Sequence, residues 1–124
     1  MDAEFDSIAR YASPPVQDLM RQTRALLSDI YPAVVEIPWV CQKTIGYGIG
    51  PKKMSEHFCW IGIYESHIVL GFNYGATLLD PHGLLEGTGK AFRHYKIRTP
   101  KDLQHPGLEP LIRRAIQDIK FRNG

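Results

Sequence analysis

Val16, Leu19, Thr23, Leu26, Leu27 and Ile30 recur at three- and four-residue intervals, the period that lines one face of an α-helix. Ser13 stands where an N-cap belongs, Pro14 and Pro15 suit the first turn, and Pro32 ends the run. A second stripe of Leu108, Leu111, Ile112, Ala115, Ile116 and Ile119 predicts a C-terminal helix. Residues 1–12 lack such a stripe and read as a polar, mobile lead-in.

Between the two helices the period drops to two. In "QKTIGYGIG" (42–50), Ile45, Tyr47 and Ile49 alternate with Thr44, Gly46 and Gly48. Glycines on one strand face let another group approach the backbone closely. "HFCWIGIY" (57–64) and "HIVLGFNY" (67–74), joined by Glu65-Ser66, predict an antiparallel hairpin. "PKKMSE" reads as a loop and "DPHG" (80–83) as a turn, while "FRHYKIR" (92–98) supplies one more strand. Strands running between terminal helices predict an α+β fold: an antiparallel β-sheet flanked by an N-terminal and a C-terminal helix, in a single domain over 1–124. Cys59, Ile61 and Ile63 alternate with Phe58, Trp60 and Tyr64, so both faces of the hairpin are apolar and both call for cover. The second cover is a dimer partner, the 75–91 segment or a ligand.

Composition narrows the classes. A hydrophobic fraction of 44% and a charged fraction of 23% are those of a globular domain. The net charge of +2, with 13 acidic residues against 15 Lys and Arg, gives nucleic acid little to hold, although Phe92 and Tyr95 lie among the basic residues of 90–101. No apolar run is long enough for a membrane span, and the acidic N-terminus does not read as a secretory signal, so a cytoplasmic setting is expected. Cys41 and Cys59 form neither a disulfide framework nor a zinc set, and both are expected to be buried and inert.

The most distinctive stretch is "GLLEGTGKAFRHYKIRTPKDL" (83–103). A Walker A loop needs glycine where Leu84 stands and a hydroxyl where Ala91 stands; the dinucleotide fingerprint needs glycine where Phe92 stands. Both fail. A weaker anion nest around Gly87 and Gly89 survives, with charge from Lys90 and Arg93. On the following strand His94, Lys96 and Arg98 share one face, either to hold a carboxylate or phosphate or to guard an exposed edge. Catalytic motifs are missing: neither Gly-x-Ser-x-Gly nor His-Glu-x-x-His occurs. Glu86 and Lys90 read as an ion pair across a turn, and His57 and Cys59, two apart on one strand face, stand too far apart for a dyad.

The pattern Gly-Leu-Leu-x-Gly-x-Gly-Lys at 83–90, the basic strand after it, and Thr99-Pro100-Lys101-Asp102 opening the last helical region resemble the YdhG-like family of small bacterial proteins of unknown function. The resemblance runs over 15–118, and "TIGYGIG" departs from the family's Tyr-Gly-x-Pro-x-Phe run. It implies a compact α+β domain without an established activity. Because some relatives are described as frataxin-like iron chaperones, it also implies iron as a ligand to test. Carboxylates suited to iron are Asp18 and Asp29 on the first helix and Asp2, Glu4 and Asp6 before it; His57 and His67 bracket the hairpin and could face each other.

The sequence thus predicts a non-catalytic binding module for a small anionic ligand, its site formed by Trp60, Tyr64, Phe72, Gly87, Gly89, Lys90, His94, Lys96 and Arg98. The alternatives are an iron chaperone and a structural homodimer joined through the same face.

Overall fold

The computed structural model describes residues 2–124, apart from the side chain of Asp2. Helices α1 (Asp2–Ala9) and α2 (Pro14–Ile30) lead into strands β1 (Val35–Trp39) and β2 (Thr44–Gly48). A single helical turn, α3 (Lys53–Glu56), precedes β3 (His57–Ile63), β4 (Ile68–Phe72) and β5 (Arg93–Ile97), and α4 (Leu108–Asn123) closes the chain. The α+β class is as the sequence predicts. The five strands form one antiparallel sheet in chain order, a simple meander, and no helix among the described residues is long and apolar enough to cross a membrane.

Each predicted helix stripe is where the packing occurs. Val16, Leu19, Thr23 and Leu27 are buried on α2, and all six stripe positions are buried on α4. Ser13 takes the N-cap position of α2 with prolines in the first turn, although its side chain makes no capping bond. The 3-10 turn at Pro100–Gln104 opens with a capping box. Its Thr99 accepts from the backbone at Asp102, and the Asp102 carboxylate accepts from the Thr99 amide.

Two local expectations are corrected. Residues 2–9 are no mobile lead-in, because Phe5, Ile8 and Ala9 are buried in the core. The polar residues of this short helix disguise a narrow apolar edge, too brief for periodicity to reveal. "PKKMSE" likewise contains the α3 turn rather than only loop.

Register assigns the faces. Ile45, Ile61, Leu70 and Tyr95 form a row across β2–β5, and Tyr47, Cys59 and Phe72 form the next. These side chains, with the helix stripes, make the core. Pro38 sits on edge strand β1, where its missing N–H breaks no interior ladder. Next to it Glu36 receives the Arg24 guanidinium at 2.9 Å and the Tyr47 hydroxyl at 2.7 Å. Arg24 also lies 4.6 Å over the Phe5 ring, so one charged group joins α1, α2 and the sheet edge. Burial first, and Glu36 second, push the Tyr47 phenol well above its ordinary pKa.

Replacing Phe5 with Ala should destabilise the protein by about 3–5 kcal/mol, the usual cost of emptying a buried aromatic site. Urea unfolding measures it; a loss below roughly 0.5 kcal/mol, the range of surface substitutions, would return residues 2–9 to the status of a loose lead-in.

Candidate functional site

Among the described residues no long helix covers the opposite face of the sheet. Pairing places Ile37 and Trp39 of β1, Gly46 and Gly48 of β2, Trp60 and Gly62 of β3, and Val69 and Gly71 of β4 on this side. The glycines make room for rings. A Cβ on Gly71 would stand 2.1 Å from Trp60 Cε2, and one on Gly46 would stand 2.3 Å from His57 Nδ1 and 2.8 Å from Trp39 Nε1. The two indoles and the imidazole therefore lie against bare backbone, closer than any side chain would permit.

His57 reaches this face through a β-bulge. Strict alternation puts it with Cys59 on the core side, as the sequence reading assumed. Instead Cys59 pairs with Tyr47 while His57 pairs with Gly48, so the ladder skips Phe58. The extra residue turns His57 to the Trp60 side, the usual effect of a bulge. Phe58 and Cys59 are both left in the core.

A pocket of about 180 Å³ forms here, walled by Trp39, Trp60, Met54 and Phe92 with His57 and Asn73 among its lining. Met54 and Phe92 are exposed at its rim although both are large and apolar. His57 is 2% exposed and Asn73 4%. Three buried polar atoms of these lining residues, Trp39 Nε1, His57 Nε2 and Asn73 Oδ1, have no hydrogen-bond partner among the described residues. Buried polar groups are nearly always paired, so three orphans among the residues that line one concavity single it out. Asn73 Nδ2 donates to the Lys53 carbonyl at 3.4 Å, and the Lys53 ammonium lies 5.0 Å over the Trp39 ring. No ion pair involving Lys53 occurs among the described residues.

Burial lowers the His57 pKa from its ordinary 6.5, and Lys53 adds to the lowering; the Gly50 backbone and Glu56 oppose it. The imidazole is neutral at pH 7. Below pH 6.5 the unfolded ring takes up a proton that the folded ring resists, so acid favours unfolding. The stabilising contribution is fully present above 6.5 and is lost as pH falls through the folded-state pKa.

The predicted site residues come together only in part: Trp60, His94 and Lys96 share the open face, with Trp60 and His94 in one row across Gly71. Trp60 lines the pocket and also a shallower depression beside it, where Tyr64 and Tyr11 stand. Tyr64 stacks on His67 at 4.9 Å at the β3–β4 turn. Phe72 is fully buried on the helix side, separated from Trp60 by the sheet. Gly87 has a φ of +116° and follows Glu86, whose backbone pairs with His94 at 2.8 and 3.0 Å. Around Gly89 it is carbonyls that are engaged: Arg93 Nη1 donates to the oxygens of Gly89 and Phe92. Lys90 stays exposed. Glu86 lies 3.6 Å from Lys96 and 3.8 Å from His94, so its ion pair is with the strand rather than with Lys90. The chain's own carboxylate thus occupies the basic strand, while Arg98 donates its amide to Asp102.

Other expectations are settled by position. Cys59 is buried, with a thiol pKa pushed up by burial, but Cys41 is exposed in the turn after β1. His57 and His67 lie at opposite ends of the hairpin instead of facing each other. Among the described residues no three His, Cys, Asp or Glu side chains gather to hold a metal ion; the Asp2 carboxylate lies outside them.

Sequence reasoning missed Trp39, Lys53, Met54, His57, Asn73 and Phe92 as one constellation. A partial signal was present: Gly46, Gly48, Gly62 and Gly71 could all be assigned to one face once the strands were paired. Fold and site together define an α+β domain whose open sheet face carries an aromatic pocket. Set against family models, curated proteins and solved structures, the chain matches none of them.

Two measurements check this geometry. Gly71→Ala should displace Trp60, shift tryptophan emission and cost about 1–3 kcal/mol, as overpacking does; unchanged emission would mean that the ring does not lie on the backbone. His57→Phe should flatten the loss of stability seen in urea unfolding as pH falls below 6.5, and an unaltered pH profile would count against a depressed imidazole pKa.

Proposed function

We propose that this protein is a non-catalytic binding domain for a small, flat, anionic ligand held on the open face of the sheet. The ring lies in the pocket between Trp39 and Trp60, and the acidic substituent points to the Lys53 ammonium at the pocket edge. The pocket's lining carries this reading, because a largely apolar concavity with a few polar side chains is the ordinary form of a small-molecule site. Lys53 supports the charge preference as a cation beside the pocket with no carboxylate of its own among the described residues. The basic strand contributes less, since Glu86 already neutralises part of it.

A role in self-association has its own observation. Tyr11, Met54, Tyr64 and Phe92 are exposed around the same face, and clustered exposed apolar groups mark contact surfaces. Sedimentation at several concentrations separates the two, because a monomer at working concentration leaves the pocket open.

Aromatic carboxylates should quench tryptophan fluorescence saturably. Lys53→Gln should weaken their binding about tenfold, close to the net worth of a charge-assisted hydrogen bond of about 1.5 kcal/mol. Lys96→Gln should leave affinity unchanged. The reverse pattern, with loss at Lys96 and none at Lys53, would move the anion site back to β5.

A further inference from the structure

Among the described residues, Lys53 is the one charged side chain in the pocket lining, and His57 is the one that can gain a positive charge near neutral pH. The imidazole is 2% exposed and lies against strand backbone. A Cβ on Gly46 would stand 2.3 Å from its Nδ1, and one on Gly48 would stand 2.6 Å from its Cδ2. Water therefore does little for a charge on this ring, and burial is the first cause of its lowered pKa.

Two charged groups act on the imidazole, and both belong to the α3 turn: Lys53 opposes protonation and Glu56 favours it. The Glu56 carboxylate accepts from the Lys52 amide at 2.9 Å and lies against Gly50, whose backbone also favours the protonated ring. The pocket residues from the strands, Trp39, Gly46 and Trp60, carry no charge, nor does Asn73 after β4. In the empty pocket an imidazolium would thus stand beside the Lys53 cation with little to offset it. An anion held against Lys53 reverses that balance, because a nearby negative charge favours the protonated form of a buried base. Charge acts through space. A ring close enough to feel Lys53 is close enough to feel an anion beside it, without touching it.

We infer that the site takes up its anion together with a proton from solvent, held on His57 while the anion stays. This rests on the pocket reading above and adds its regulation: the ligand is loaded in weak acid and released as pH rises. The coupling is reciprocal, so proton and anion raise each other's affinity by the same factor. The sign follows from the neutral ring of the empty pocket. Affinity is lowest where even the occupied pocket has lost the proton. It rises as pH falls, then levels off once the empty pocket is protonated as well.

Calorimetric titration of the full chain with benzoate, a carboxylate ionised from about pH 5.5 upward, tests it. At about pH 6.5 the heats measured in MES and in Bis-Tris should differ, which reports a proton drawn from the buffer. Affinity should fall about tenfold from about pH 5.5 to pH 7.5, within the usual range of coupling between two ligands. His57→Phe should remove both effects, and His57→Gln should do so if the Phe variant fails to fold. His94→Gln, on the basic strand, should retain both. Equal heats in the two buffers, proton uptake that persists in the folded His57 variant, or uptake lost in His94→Gln would overturn the coupling and leave the pocket reading in place. No binding of benzoate at any of these pH values would overturn both.

Discussion

Close approach of aromatic rings to bare backbone is the constraint around which the rest of this molecule is arranged. Gly46, Gly62 and Gly71 lie in neighbouring strands on one face, and a methyl group on any of them would intrude on the Trp60, Trp39 or His57 ring. The rings cover strand backbone and leave a hollow between them. A helix packed on this face would need side chains of its own to interdigitate, and the glycines offer none. The protein has its long helices on one side of its sheet and an aromatic layer, with the short α3 turn at its edge, on the other. That asymmetry creates the pocket.

The bulge at Phe58 then determines the pocket's chemistry. One unpaired residue reverses the direction of everything before it on the strand, so an imidazole that alternation assigns to the core arrives beside Trp60. The same displacement places two consecutive residues, Phe58 and Cys59, in the core. The α3 turn just ahead brings Lys53 against Asn73 and Trp39. Backbone irregularities are frequent beside functional sites because they aim side chains where regular pairing cannot. Here a bulge and a four-residue helical turn together gather groups that lie far apart in the chain.

Electrostatics followed a different course on β5 from the one that composition suggested. His94, Lys96 and Arg98 alternate as expected, but the glycine-rich segment folds back and sets Glu86 antiparallel to His94. Gly87 at φ +116° lets the chain leave that bridge. The Asp80 carboxylate accepts from the amides of Leu84 and Leu85 at 3.0 and 2.9 Å, which ties down the start of the same segment. A stretch that reads as an anion cradle is therefore a strap across the sheet edge, supplied with its own anion.

What the sequence determined by itself was everything carried by local periodicity and turn chemistry: the stripes of α2 and α4, the β3–β4 hairpin, the Asp80–Gly83 turn and the α+β class. These depend on neighbours a few residues apart, so their signals lie in short windows. The first helix escaped because three buried residues in eight give too short a period to read. Only the tertiary structure decided which glycines share a face, that Phe58 is bulged, that Phe72 and Trp60 lie on opposite sides, and that Glu86 takes Lys96. Strand register and long-range ion pairing arise from contacts between segments tens of residues apart, and a one-residue slip reverses every side chain on a strand. The functional face of this protein is a product of register, which no short window of its sequence contains.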